Sequence, residues 1–385
     1  MIYLDYNRTT PVCHAAIEAM KPFWATHFLL PSQEHPRAEA VAEAVEAARE
    51  QVAALMGAEP FEVVLTGGGT EANNLGILGH RSVDPAAAAG HAVRSAIEND
   101  SVQAVFDELR RRGWDVETVG VDADGRVDPV EFADAIRPET RIASVQLANP
   151  TLGTIQDIQS MAAACRQRDV PFHCDATAAA GRWPIDVGRL GVDTLSVSSH
   201  KFFGPKGAGA LFVRRGLELR PTLFGSNREM GVRPGSENVP AVIGMGAAAS
   251  LATACATDAN GQMASMRDRL TQSLTSAAKP GSGVETRRRG GRILGTHHQR
   301  LPNTACVELP VDAFRVMKAA GGLVAARGQS SSPPDEITRT LRAVGCESRV
   351  IDRCLRISVG WTTTSDEILR AAEVFSDAIE SVAGP

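Results

Sequence analysis

Residues 198–207 read SSHKFFGPKG and follow DTLSV at 193–197, so an apolar run ends in serine, histidine and lysine before two phenylalanines and a glycine turn. The chemistry of Lys201 decides how the chain is understood. A lysine at a strand end is commonly a solvated charge, because Lys is almost never fully buried without a partner. The neighbouring Phe202 and Phe203 favour a second reading: a desolvated amine has a lowered pKa and becomes a nucleophile able to form a Schiff base.

Working outward, short β-type runs alternate with helical stretches: EVVLT (62–66), HAVRS (91–95), WDVETVGV (114–121), RIASVQL (141–147), VPFHCD (170–175), DTLSVSS (193–199) and GALFVRR (209–215). This alternation predicts an α/β domain on a mostly parallel sheet, with ligands gathered beyond the carboxyl ends of the strands. Residues 36–57 carry Ala, Val and Leu at helical spacing and stop at Gly57, a helix with a glycine end signal. The stretch TACATDANGQ (253–262) is small and polar and reads as a linker or a helix interruption. The expected division is a large domain over 13–252 and a small α+β domain made of 1–12 and 253–385. In the latter, a helix (263–278), strands near 303–309 and 353–359 and a last helix (365–382) are expected.

Composition narrows the function classes. The chain has 385 residues, 43% of them hydrophobic, enough for one large core and a smaller one. Its formal charge of -5 comes from 40 basic and 45 acidic residues mixed along the sequence, which points away from nucleic acid. The one dense basic run, RRRGGR (287–292), reads as an exposed loop or edge strand. Seven cysteines (13, 165, 174, 255, 306, 346 and 354) form no CxxC pair and no zinc spacing, which suits a reduced cytoplasm. The opening MIYLDYNRTTP does not look like an export signal, and no apolar run reads as a membrane span, so no membrane association is expected.

Two further stretches join Lys201. TGGGTEANN (66–74) puts three glycines between a strand and a helix. This is either only a turn or an anion site in which helix-start N–H groups and the Thr70 hydroxyl take a phosphate. Asp175 closes VPFHCD, either as a helix cap or as a carboxylate facing a cleft. A phosphate cup, an Asp and a Lys at strand ends of one sheet are what pyridoxal 5'-phosphate (PLP) requires, the lysine as Schiff-base partner and the Asp at the pyridine nitrogen.

With these in place, YLDYNRTTP, PSQEH, LTGGGTEANN, NPTLGTIQDI, HCDAT, SSHKFFGPKGAGALFVRR, RPGSEN, LPNT and LRISVG resemble, in order and spacing, the cysteine desulfurase group of the class V aminotransferase family. The resemblance implies a PLP enzyme of fold type I, a homodimer with shared active sites acting on a small amino acid substrate. It implies PLP on Lys201, Asp175 at the ring nitrogen, and a phosphate site of Gly69, Thr70, Ser198 and His200, with Ser236 of RPGSEN reaching the phosphate of the neighbouring subunit. Asn99 in AIENDSV falls where the family has its ring-stacking histidine. Arg356 would clamp the substrate α-carboxylate, with Asn7, Arg8 and Trp361 also near the substrate.

The departures bear on the reaction. The family's catalytic loop carries a cysteine that takes sulfur from the substrate; here that loop reads ARGQSSSPPDE (326–336). Ser330, Ser331 and Ser332 mimic its shape but cannot hold a persulfide. Cys346 and Cys354, beyond it, read as buried small hydrophobes. The family's asparagine near the cofactor's phenolate oxygen is Pro150, and the glutamine of DATQ is Ala178. Arg8 and Trp361 replace smaller or different residues; they either reshape the substrate entrance or are a surface Arg and a packing Trp. The expected reaction is carbon–sulfur cleavage of a cysteine S-conjugate by β-elimination. Decarboxylation-coupled deamination, transamination, true desulfuration and a catalytically silent binding partner stay open.

Overall fold

The computed structural model describes residues 1–84, 89–276, 291–330 and 334–384. Among these, seven strands form one sheet in the order 63–66, 209–213, 194–198, 172–175, 140–144, 91–95, 115–119. All neighbours are parallel except Gly209–Val213, which is antiparallel to both strands beside it. The strands Val63–Thr66 and Thr194–Ser198 are buried throughout, as expected of a sheet covered on both faces. Because Gly209–Val213 runs against the rest, the carboxyl ends of Val63–Thr66, Phe172–Asp175 and Thr194–Ser198 share one edge.

The helix Pro36–Met56 starts on His35, whose ring Nδ1 accepts from the Arg37 N–H, with Pro36 in its first turn. It stops at Gly57, left-handed at φ 63, a conformation that costs glycine nothing sterically. It packs along the first half of the longest helix, Val239–Thr275. That helix contradicts the expected break at 253–262: it is continuous for 37 residues. Val239 to Ala252 pack in the core under the large sheet, whereas Ala259, Met263, Leu270 and Leu274 pack in a second core with Val307, Leu355 and Phe375. The polar residues between the two cores turn outward, so polarity here marks exposure and not a break. By length and composition this helix would also suffice to cross a membrane, which the sequence reading overlooked; it is largely a buried core helix.

The second core lies on an antiparallel sheet in the order 326–327, 354–358, 304–308, 292–294. Arg292 opens its edge strand and pairs with Glu308, while 287–290 of the basic run lie outside the described residues. The amino-terminal Ile2–Tyr3 pairs in parallel with Leu323–Val324, and Asp5 bridges to Ser358. The arm then crosses to the large sheet, where the Thr10 N–H donates to the His200 carbonyl at 3.0 Å and the Cys13 N–H to Phe203 at 2.8 Å. The first residues of the chain are thereby held against the lysine turn.

Candidate active site

Lys201 ends a 3-10 turn, Ser199–Lys201, that directly follows the strand Thr194–Ser198. Phe203 has a φ of 66, a strained value for a bulky residue, and the Thr10 hydroxyl holds its N–H at 2.9 Å. The lysine Nζ donates to the backbone carbonyls of Asn7 at 2.6 Å and Arg8 at 3.2 Å. Its pKa is pushed down to about 8, chiefly by burial; Arg182 and Arg356 push the same way, and Glu336 and Asp175 oppose them. The two phenylalanines next to it serve elsewhere: Phe202 is in the core and the Phe203 ring stacks on Trp361 at 4.0 Å. Among the described residues, carbonyl oxygens and no side-chain carboxylate accept from the amine.

Lys201 opens onto a cavity of about 790 Å³ also lined by Gly67, Gly68, Gly69, Thr70, Asn73, Asn99, Ser101, Thr177, Ser198, His200 and Lys206. One wall is the start of the helix Gly69–Leu78, whose first N–H groups have no partner within the helix and favour an anion. A Cβ on Gly69 would come within 2.8 Å of Thr177 Cγ2 and 3.2 Å of Ser198 Cβ, so only glycine allows so close an approach. Glu71, the one acid in this turn, is paired with Arg233 at 2.8 Å, which limits its repulsion of an incoming anion. The His200 pKa falls to about 4, mainly through burial and then through Lys201 and Lys206, so the ring is neutral near pH 7; its Nδ1 meets the Thr9 hydroxyl at 3.1 Å.

Asp175 is buried at the end of its strand. One oxygen accepts from the Thr177 N–H at 2.8 Å and the other from Asn73 Nδ2 at 2.9 Å. Arg356, outside the cavity lining but close enough to depress the Lys201 pKa, is buried on the small-domain strand Cys354–Ser358 and donates from Nη2 to Asp5 at 2.5 Å. Its buried Nε has no partner among the described residues, a donor available to a carboxylate. These groups fit PLP and an amino acid: an amine of lowered pKa, a fixed carboxylate, a helix-start cradle and a guanidinium N–H without a partner among the described residues. When bound, PLP supplies a cationic ring that stabilises negative charge at the substrate Cα.

The other expected residues are less directly placed. Asn7 is buried, with its carboxamide committed to Pro150, Thr304 and Asn303, so what it turns toward the lysine is its carbonyl. Arg8 is exposed and likewise meets the amine through its carbonyl. Trp361 packs between the two cores. Ser236 is exposed and does not line the cavity of its own chain. Ala178 is buried in the large core, and the Pro150 carbonyl accepts from Asn7.

Four residues were missed by the sequence reading. Arg182 is buried and donates to the carbonyls of Tyr6 and Lys201, each at 2.8 Å. Asn73 and Thr177 hold Asp175; both fall inside stretches already singled out, TGGGTEANN and HCDAT. Glu336, the last residue of the serine loop, accepts from Asn99 at 3.0 Å. In that loop the Ser330 N–H and Oγ both donate to Asp352 at 2.8 Å, while Ser331 and Ser332 lie outside the described residues. Away from the cleft, Asp122, Asp124 and His298 converge within 4.8 Å, but Asp122 caps the N–H groups of Asp124 and Arg126 in a turn.

The parallel sheet and the lysine and carboxylate at its strand ends define a PLP-dependent enzyme of fold type I. The chain belongs to the family described as "Aminotransferase class-V", whose sequence profile matches residues 2–370. It is 34% identical to the "Cysteine desulfurase IscS" of Methanosarcina thermophila, over 99% of this chain and 92% of that protein. It is 36% identical to a "Cysteine desulfurase" of Gluconacetobacter diazotrophicus, over 98% and 93%. A solved structure titled "NIFS-LIKE PROTEIN" superposes with a TM-score of 0.88 at 27% identity, covering 98% of each chain.

Proposed function

We propose that this enzyme cleaves the carbon–sulfur bond of a cysteine S-conjugate by β-elimination, without an enzyme thiol as sulfur acceptor. The observation that carries the reading is the contrast between a furnished lysine pocket and a loop, 326–336, that contains no cysteine. Arg356 binds the α-carboxylate through its free Nε. Lys201 takes the α-proton, a role suited to an amine whose pKa lies near 8. The sulfur then leaves with its bonding electrons and is protonated, and addition of water to the remaining fragment gives thiol, pyruvate and ammonia. Decarboxylation-coupled deamination and transamination would use the same residues.

A second reading, true cysteine desulfuration, is favoured by the names of the relatives. It needs a thiolate at the substrate sulfur. Burial pushes the Cys346 thiol up to about 11, and Cys354 is pushed well above the usual thiol range, first by its hydrogen bond with Cys306 and then by burial. Ser330 offers a hydroxyl bonded to Asp352. A silent binding partner would have little use for an intact lysine pocket. We further infer a homodimer in which Ser236 serves the neighbouring site, and a cytoplasmic location that suits seven free cysteines.

The test is product analysis with cysteine and with bulky cysteine S-conjugates. Stoichiometric thiol, pyruvate and ammonia from a conjugate support elimination. Alanine from free cysteine, with no turnover of any conjugate, would replace it with desulfuration.

A further inference from the structure

A continuous polar chain leads from Asp175 out of the large domain. Asn73 Nδ2 donates to Asp175 Oδ2 at 2.9 Å and to Ser101 Oγ at 2.8 Å. Ser101 Oγ donates to Asn99 Oδ1 at 2.8 Å, and Asn99 Nδ2 donates to Glu336 Oε1 at 3.0 Å. The first four residues, Asp175, Asn73, Ser101 and Asn99, are on the large domain, and Glu336 opens the small-domain helix Glu336–Ala343.

The orientation of Asn73 is fixed from behind. Its Oδ1 accepts from Ser196 Oγ and from His173 Nε2, the latter at 2.9 Å. Burial holds the His173 pKa near 3, so the ring is neutral, and with Nε2 donating its Nδ1 carries no proton and faces the Thr194 hydroxyl at 2.8 Å, which also reaches the Gly76 carbonyl at 3.3 Å. All four hydrogen-bonding positions of the carboxamide are therefore used. Turning it over would set an oxygen against the Asp175 carboxylate and an NH₂ against a ring N–H. Asn99 is no looser: its Oδ1 also caps the helix Asp100–Arg111 by accepting the Ser101 N–H at 3.0 Å. Around the same junction Arg339 is ion-paired with Asp100, and Asn149 donates to Thr340 at 3.2 Å, so the helix bearing Glu336 is docked by several contacts. From Asn73 outward every donor points toward Glu336, the arrangement in which successive hydrogen bonds strengthen one another.

We propose that Asn73 and Ser101 are positioning residues: Asn73 sets the Asp175 carboxylate, and Ser101 with Asn99 ties it to Glu336, so that docking of the helix Glu336–Ala343 governs how that carboxylate is held. The proposal rests on the reading of Asp175 as the ring-nitrogen partner of PLP. Its consequence is that a small-domain residue changes the electronics of the cofactor site without touching it. Glu336 also acts on Lys201 through space, so the test must separate the two routes.

A double-mutant cycle on the PLP-loaded enzyme does so. Glu336→Ala is made with Ser101 present and in the Ser101→Ala background, and the visible absorbance of the bound cofactor is titrated with pH. The through-space effect of Glu336 is the same in both backgrounds, whereas the hydrogen-bonded route exists only with Ser101. The expected result is a midpoint shift from Glu336→Ala at least about twofold larger with Ser101 than without it. Ser101→Ala alone, which removes the hydroxyl's bonds with both Asn73 and Asn99, should weaken PLP retention about fivefold, and Ser101→Thr should restore it. Equal shifts in the two backgrounds would overturn the proposal, as would unchanged retention in Ser101→Ala. Failure of the underlying site reading looks different: borohydride-reduced wild-type protein would carry no cofactor on Lys201.

Discussion

The lysine turn of the large domain and the serine loop of the small domain, whose last residue Glu336 accepts a hydrogen bond from Asn99 of the large domain, treat their polar groups in opposite ways. Among the described residues Lys201 is given carbonyl oxygens and no side-chain carboxylate as hydrogen-bond acceptors, which leaves its amine reactive. Ser330 is given a full carboxylate, Asp352, for both its N–H and its hydroxyl, which ties that residue down. A buried cation without an ionic partner lowers its own pKa, whereas a hydroxyl donating to a carboxylate is a structural bond unless a base stands ready to take its proton. The difference locates the reactive amine of this chain in the large-domain pocket and leaves the small domain the proposed task of binding through Arg356.

The largest test of that contrast is Lys201→Ala, which should lower turnover by ~10⁴-fold, and peptide mapping after borohydride reduction should find no labelled lysine. Asp175→Asn keeps the shape of the side chain and removes its charge; on the proposed reading, in which Asp175 pairs with the ring nitrogen, a loss of about 10²- to 10³-fold in kcat is expected. Arg356→Ala should raise KM by roughly 10- to 100-fold, the range for a charged hydrogen bond to a carboxylate, and Arg356→Lys should recover only part of it. A loss confined to kcat would move Arg356 from binding to chemistry.

Smaller effects sharpen the comparison. In the cofactor-free protein, labelling of Lys201 by PLP and borohydride should rise with pH through about 8, because the amine is protonated below that value and neutral above it. The folded amine gives up its proton before an unfolded lysine at 10.5, so this group adds stability as pH rises through that interval. A labelling midpoint near 10.5 would mean that the amine is not desolvated. The smallest effect belongs to Ser330→Ala: about 1 kcal/mol of stability by thermal denaturation, with turnover unchanged. A collapse of activity there would give the hydroxyl a chemical role and end the contrast.

The sheet and the strand-end positions of Lys201 and Asp175 were legible because burial on both faces leaves an uninterrupted apolar run and the polar residue that ends it stands out. The long helix was misread at 253–262 because Thr, Asp and Asn look like breakers in sequence, whereas in space they are the outward side between two cores. Phe202 and Phe203 were read as shields for the amine; one fills the core and the other stacks on Trp361, and the acceptors are carbonyls of a segment nearly 200 residues away in sequence. The chain from Asn73 to Glu336 was out of reach for the same reason. Its members are common polar residues whose partners are chosen by the fold and not by spacing.

Whether any thiol of this protein receives sulfur is answered directly by mass spectrometry of the intact, PLP-loaded enzyme after turnover with free cysteine. The predicted result is unmodified protein, with no persulfide on any of the seven cysteines. A stoichiometric persulfide on Cys346 or Cys354, whose replacement by serine also stops alanine formation, would contradict it and show that the sulfur acceptor has moved along the chain.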